Sequence, residues 1–326
     1  MIDDYLPTIN GKLIYVKSAT ENEFWPALLE KAYAKLYGSY ESIKSGSACE
    51  AMVDFSGGCS EIIHEIPHTQ KEQDNLYNHM LKSFDRSSMI TCYIYPDEKI
   101  VEARTQLGLI KGHAYSVTKV LKAKINKGRK KGLYPLVRVR NPWGGDVEWK
   151  GDWSDHSTSW KLVSDEDKNA IGLTFEHDGE FYMSQNDFMS HFDGIELTHL
   201  MPNSLSENEM KGGKLQWNEI HFNGAWIRGK NAGGCRNYID TFAENPQYLV
   251  AIEDGDNDGV CTTVISLMQK GTRERKAGCL QDGSLPIGNI LLYCNIFCIE
   301  SLYFKKIPSI STKHTLFLLQ VSLYIV

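Results

Sequence analysis

Between residues 22 and 38, Trp25, Leu28, Leu29, Ala32, Tyr33 and Leu36 recur at helical spacing, and Gly38 stands where a C-cap belongs. The pattern predicts a helix over 22–38, with Asn22 as N-cap and Pro26 in the first turn, where its missing N–H is harmless. A second helix is predicted around 72–84, with Leu76, Met80, Leu81 and Phe84 on one face. Ser184, followed three positions later by Asp187, predicts a cap for a short helix through Phe192.

Between these helices the pattern changes to strands. Runs 89–95, 113–121 and 136–140 are rich in β-branched and aromatic residues and are separated by turn-forming segments. Trp143, Trp149, Trp153 and Trp160 crowd a stretch that otherwise reads as loop. Residues 1–200 are therefore expected to form an α+β unit with an antiparallel core. A polar, helix-breaking linker follows at 201–213. Short alternating runs over 214–288, such as 248–252 and 262–268, predict a β-sandwich, shorter than the roughly 100 residues usual for one. The tail 289–326 is apolar without amphipathic order, and it reads as foreign to the preceding domain. Neither of its apolar runs reaches the roughly 20 residues of a membrane span.

Composition narrows the class. With 42% hydrophobic and 23% charged residues the chain is globular, and its net charge of −6 offers no footprint for nucleic acid. The Met1-Ile2-Asp3-Asp4 start has no basic n-region, so no signal peptide is expected. Eight cysteines without a CxxC pair fit free thiols in a reducing, cytoplasmic setting.

The candidate chemistry begins at Gly112-His113, where a histidine opens a strand-like run. Alone it reads as an ordinary histidine on a half-buried strand. Asn141, which closes a later run, changes that balance, because an amide oxygen accepting the imidazole N–H holds the ring in one orientation. Trp143 can shield that hydrogen bond from water. Asn141-Pro142 also reads as a turn.

Several segments together resemble the calpain family: Phe24 to Lys35, Gly108 to Val117, Val137 to Gly144, Trp149 to Asp155, and Ala232 to Tyr238. The resemblance implies that residues 3 to about 200 form the second subdomain of a papain-like cysteine protease core, an antiparallel sheet plus helices. It further implies that 214 to about 288 form part of a C2-like β-sandwich. His113 is then the catalytic base, Asn141 its orienter and Trp143 the shielding indole. The family's Ca²⁺ site maps to the carboxylates of Glu148, Asp155 and Asp178, with carbonyls near Glu176 and Glu180. Such an oxygen-only set suits a hard cation. The segment from Asn141 to Glu148 is one residue longer than the family pattern. The family's nucleophile belongs to a Gly-x-Cys-Trp segment, which this chain lacks. Cys92 lies in a strand-like run, and Cys49 and Cys59 are expected in Gly/Ser-rich turns, so none is expected to face His113.

Two further motifs are decoys. His64-Glu65-Ile66-Pro67-His68 matches a zinc-protease pattern that must be helical, and Pro67 would cost such a helix about 3 kcal/mol or more. The Asp254–Gly259 segment opens like an EF-hand loop, but Ile265 stands where a bidentate Glu is required. By resemblance it is the acidic loop of the C2-like domain, suited to calcium, phospholipid head groups or basic segments such as Lys270, Arg273, Arg275 and Lys276.

The leading expectation is a calpain-type calcium-dependent cysteine endopeptidase acting on protein substrates. The chain itself is expected to be truncated at its N-terminus and inactive alone for want of a nucleophile. The rival is a non-catalytic isoform that binds calcium, phospholipid or a full-length calpain. A third expectation is an incomplete gene product with no separate biology. A half-core exposing its cleft face predicts poor solubility in isolation.

Overall fold

The computed structural model describes residues 1–200 except 19, 45, 98, 99, 101, 127–130, 146 and 177. Beyond these it describes 218–248 except 236, 263–269 and the backbone of 317–325. The chain divides into two compact units: Met1–Ser47 with Gly271–Leu285, and Ala48–Lys270 with Pro286–Val326.

In the first unit, strands β1 (Thr8–Ile9) and β2 (Lys12–Leu13) form a small hairpin, followed by helix α1 (Trp25–Leu36). The helix starts later than predicted. Phe24 takes the N-cap position without a side-chain bond, Pro26 sits in the first turn, and Asn22 adopts a left-handed φ of 61°. Ala27 and Ala34 are buried, while Trp25, Leu29 and Leu36 stay exposed. The periodicity therefore located the helix without identifying a buried stripe.

The second unit holds α2 (Ala48–Ser56), β3 (Cys59–Ile63), α3 (Gln70–Asp85), β4 (Met89–Ile94), β5 (His113–Ile125) and β6 (Gly132–Arg140). These are followed by α4 (Asp165–Ala170), β7 (Glu180–Ser184), α5 (Gln185–His191) and β8 (Gly194–His199). The strands form one six-stranded antiparallel sheet in the order β3-β8-β4-β5-β6-β7. This is the expected mixed α+β architecture. Cys49 and Cys59 depart from expectation: Cys49 is the second residue of α2 and Cys59 opens β3, and both are buried. The Gly/Ser-rich surroundings of the two cysteines misled because α2 packs against β3 and β8.

Helix α3 is capped by Thr69, whose Oγ1 accepts from the Glu72 N–H and donates to the Glu72 carboxylate at 2.5 Å. Its Leu76, Tyr77 and Met80 join Ile90, Tyr115, Val117, Val139, Phe181, Phe188 and Leu197 in the main core. Tyr77 donates its hydroxyl to the Leu121 carbonyl at 2.5 Å, which ties α3 to β5. Ser184 caps α5 as predicted, accepting from the Asp187 N–H at 3.1 Å. The tryptophan-rich stretch is not a surface loop. Trp153 and Trp160 are buried with Ala123, Ile125, Leu136 and Tyr182 in a second core, their rings 4.9 Å apart and edge to face.

Strands β9 (Asn218–Trp226), β10 (Thr263–Gln269) and β11 (Phe317–Ile325) form a three-stranded antiparallel sheet in the order β10-β11-β9. Part of the apolar tail is thus a central strand, with Phe317 opposite Trp226 and Ile325 opposite both Asn218 and Thr263. The acidic 254–259 segment, most of the 248–252 run and the basic segment from Lys270 lie outside the described residues. Among the described residues no helix is long and apolar enough to cross a membrane.

Candidate active site

Gly112 adopts a φ of +66°, a value open to glycine, and its N–H bonds the Ile94 carbonyl at 2.8 Å. That turn feeds the chain into β5 so that His113 is the first strand residue, opposite Ile94. Asn141 directly follows β6, one strand over. The sheet therefore brings the two side chains together, and His113 Nε2 lies 2.9 Å from Asn141 Oδ1.

Every polar atom of Asn141 has a partner, and the residue is fully buried. Its Nδ2 donates to the Val147 carbonyl at 3.2 Å, and its Oδ1 also accepts from the Trp143 N–H at 3.0 Å. The backbone N–H donates to the Gly179 carbonyl at 2.9 Å. A carbonyl partner for Nδ2 fixes which end of the amide faces His113, and an oxygen acceptor requires the imidazole proton on Nε2. His113 Nδ1 is then the nitrogen able to exchange a proton with a reacting group. The Trp143 ring stands over the imidazole at 4.4 Å between centroids, and Tyr115 meets its edge at 5.0 Å. Trp143 is itself 52% exposed, so it covers the histidine from the solvent side.

Gly179 is a support that the sequence did not mark. Its φ is +84°, and a Cβ there would stand 2.9 Å from the Asn141 carbonyl oxygen and 2.9 Å from Gly144 Cα. Only a residue without a side chain lets these two loops meet.

The predicted oxygen ligands are placed unequally. Glu148, Asp155 and Asp178 are close enough to influence one another: burial, then the charges of Glu148 and Asp178, push the Asp155 carboxyl up to about 6. Glu148 Oε1 accepts from the Gly179 N–H at 3.1 Å, and Asp178 Oδ1 accepts from the Glu180 N–H at 2.9 Å. The Glu180 carboxylate is paired with Arg138, and Glu176 is exposed. Among the described residues no three His, Cys, Asp or Glu groups stand at metal-holding separations. The chemistry of the donor set fits a hard cation, being oxygen only and carrying mutually repelling charge.

Burial pushes the thiols of Cys49 and Cys59 up to about 12, and that of Cys92 well above its ordinary value. Cys92 lies opposite Tyr115 and two residues before the His113 partner Ile94, sealed in the core. These three thiols are neutral and shielded, the reverse of an activated nucleophile. The His64–His68 pattern is not helical, and His68 and Glu65 are both largely exposed, so it forms no zinc site.

Comparison with known proteins gives this geometry its setting. Residues 1–199 match the family model "Calpain family cysteine protease". The chain belongs to the calpain family of cysteine proteases. Residues 222–297 match the model of calpain large subunit, domain III. Calpain-B of Drosophila melanogaster is 49% identical over 281 residues, covering 85% of this chain and 30% of the relative. Calpain clp-1 of Caenorhabditis elegans is 44% identical over 88% of the chain and 36% of its own length. Calpain-9 of Rattus norvegicus is 46% identical over 90% of the chain and 41% of its own length. The chain thus spans between 30% and 41% of these calpains. Against that setting, the sequence had named His113, Asn141 and Trp143, which the fold assembles. It did not signal Val147 or Tyr115, whose roles arise from a carbonyl of the loop after β6 and a ring edge on β5.

Proposed function

We propose that the chain supplies the base-and-orienter half of a calpain-type, calcium-dependent cysteine endopeptidase acting on protein substrates in the cytoplasm. We further propose that it is inactive alone, because none of its described thiols is placed or activated as a nucleophile. The observation that carries this reading is the 2.9 Å contact from His113 Nε2 to the fully buried, fully bonded Asn141.

With Nε2–H committed to Asn141, His113 Nδ1 takes the proton of a cysteine thiol brought up to it. The thiolate attacks the scissile carbonyl carbon, the C–N bond breaks, and the imidazolium returns its proton to the departing amine. Water, deprotonated by the same Nδ1, then cleaves the thioester. Asn141 keeps the ring aligned through both proton transfers, and Trp143 excludes water from the Nε2–H bond. Glu148, Asp155 and Asp178, with the carbonyls of Glu176 and Glu180, are the residues that would hold calcium. Bound there, the ion would neutralise the repulsion between their loops.

The seclusion of Cys49, Cys59 and Cys92 also favours a second reading, in which the chain binds calcium, phospholipid or a full-length calpain without catalysis. Reconstitution separates the two. The full chain is incubated with Ca²⁺ and casein, alone and with a separately produced polypeptide bearing the calpain Gly-x-Cys-Trp segment. The proposal expects no cleavage alone, cleavage on mixing, and its loss with His113→Ala. Cleavage by the chain alone overturns the inactivity claim, and no cleavage on mixing favours the binding reading.

A further inference from the structure

The cluster farthest in character from the active site lies across the sheet from it. Glu61 on β3 stands opposite Leu197 on β8, which pairs with Ile90 on β4, which pairs with Val117 on β5. Glu61 is thus three strands from β5 and level with a residue four positions beyond His113. There, one carboxylate oxygen receives two imidazoles. Glu61 Oε1 lies 2.6 Å from His79 Nε2 on α3 and 2.8 Å from His199 Nε2 at the end of β8. His199 Nδ1 is 2.9 Å from Ser88 Oγ.

The hydrogen-bond roles follow from the acceptor. A carboxylate only accepts, so both Nε2 atoms carry protons. His199 is wholly buried, with its Nε2 bonded to Glu61 and its Nδ1 partnered by the Ser88 hydroxyl. Two imidazolium ions on one oxygen would repel each other. Of the two rings only His79, whose side chain is 31% exposed, reaches solvent to exchange a proton. The Ser88–His199–Glu61 order mimics a hydrolase relay, but Ser88 is only 6% exposed and His199 not at all, so no substrate reaches them.

We propose that Glu61, His79 and His199 form a proton-operated latch that fastens helix α3 to the β3–β8 edge of the sheet, tight when His79 is charged and slack when it is neutral. A charged His79 adds an ion pair to the hydrogen bond between α3 and β3, and a neutral one leaves the hydrogen bond alone. Lys82 on α3 and Arg86 at its C-cap oppose the proton. Glu196 on β8 accepts from the Cys49 N–H, and Glu219 on β9 lies near Cys59. The thiols of Cys49 on α2 and Cys59 on β3 stay neutral, being pushed up to about 12.

The balance favours the charged form. Burial alone would lower the His79 value, but the hydrogen bond and charge of Glu61 raise it overall. A raised folded value means that the stabilisation is complete below the ordinary histidine value of about 6.5 and is lost as pH rises through the higher folded value. The latch therefore loosens on the alkaline side of neutrality.

Hydrogen exchange by mass spectrometry on the full chain between pH 6 and pH 9, corrected for intrinsic rates, tests the latch. The expected result is a several-fold rise in opening across peptides covering residues 59–63 and 70–85, abolished in His79→Gln. A flat wild-type profile, or the same rise in His79→Gln, overturns the proposal. A ¹³C-edited NMR titration of His79 gives a reading that does not depend on any variant folding. A midpoint above about 6.5 supports the latch, and one at or below it refutes it.

Discussion

Replacing Asn141 with alanine removes the element on which the active-site account rests. The substitution deletes three side-chain hydrogen bonds: from His113 Nε2 at 2.9 Å, from the Trp143 N–H at 3.0 Å, and to the Val147 carbonyl at 3.2 Å. Each is worth about 1 kcal/mol net, so roughly 3 kcal/mol is the first figure. Water can reach the exposed Trp143 and the half-buried His113, which lowers the expected loss to about 2–3 kcal/mol. For a unit of this size that corresponds to a fall in Tm of about 5–10 °C. Urea unfolding of wild type and Asn141→Ala, followed by tryptophan fluorescence, reads the energy. ¹⁵N NMR reads the tautomer: wild-type His113 carries its proton on Nε2, and the variant becomes a mixture. A loss under about 0.5 kcal/mol, or a wild-type ring protonated on Nδ1, would refute the reasoning.

Three more expectations follow from single contacts. Gly179→Ala forces a side chain into a +84° φ and to 2.9 Å from the Asn141 carbonyl, and should cost at least about 1–2 kcal/mol by urea unfolding while shifting the His113 ring resonances. Trp160→Ala empties the second core beside Trp153 and Tyr182 and should cost about 3–5 kcal/mol; a loss below 1 kcal/mol would mean that this core is not formed. At the acid end, burial alone would raise the Glu61 carboxyl, but hydrogen bonds from His199 and His79 hold it well below the usual carboxylate range. Its contribution is present above the unfolded value of about 4.3 and is lost as pH falls through the lower folded value. Glu61→Gln should therefore flatten the acid limb of the stability profile below that pH, and an unchanged limb would contradict the ion-pair assignment.

The elements most legible in the sequence were those specified by local chemistry. The 3.6-residue repeat located α1 and α3, and the Ser184–Asp187 pair located α5, because caps and periodicity act within a few residues. His113 and Asn141 were legible because their residue types at strand ends carry a recognisable chemistry. What escaped was set by distant partners. Cys49 and Cys59 sit among glycines and serines, yet pairing of β3 with β8 decides their burial. The tryptophans look like loop residues until Ala123, Ile125 and Leu136 of two other strands supply a surface to pack on. The 317–325 strand has no local signal beyond apolarity, and its place between β9 and β10 is a long-range pairing. His79 and His199 meet on Glu61 only through the fold, and no spacing in the chain announces it.

His113 is proposed to act as an oriented catalytic base to which none of the described thiols, Cys49, Cys59, Cys92 and Cys235, serves as partner nucleophile. The test is to label the full chain with a peptidyl epoxide that alkylates activated cysteines, with and without Ca²⁺, and to read the product by peptide mass spectrometry. No cysteine is expected to take the label in a His113-dependent way; slow modification of exposed Cys235 would be the same in His113→Ala. Stoichiometric, Ca²⁺-dependent labelling of any one cysteine that disappears in His113→Ala would contradict it.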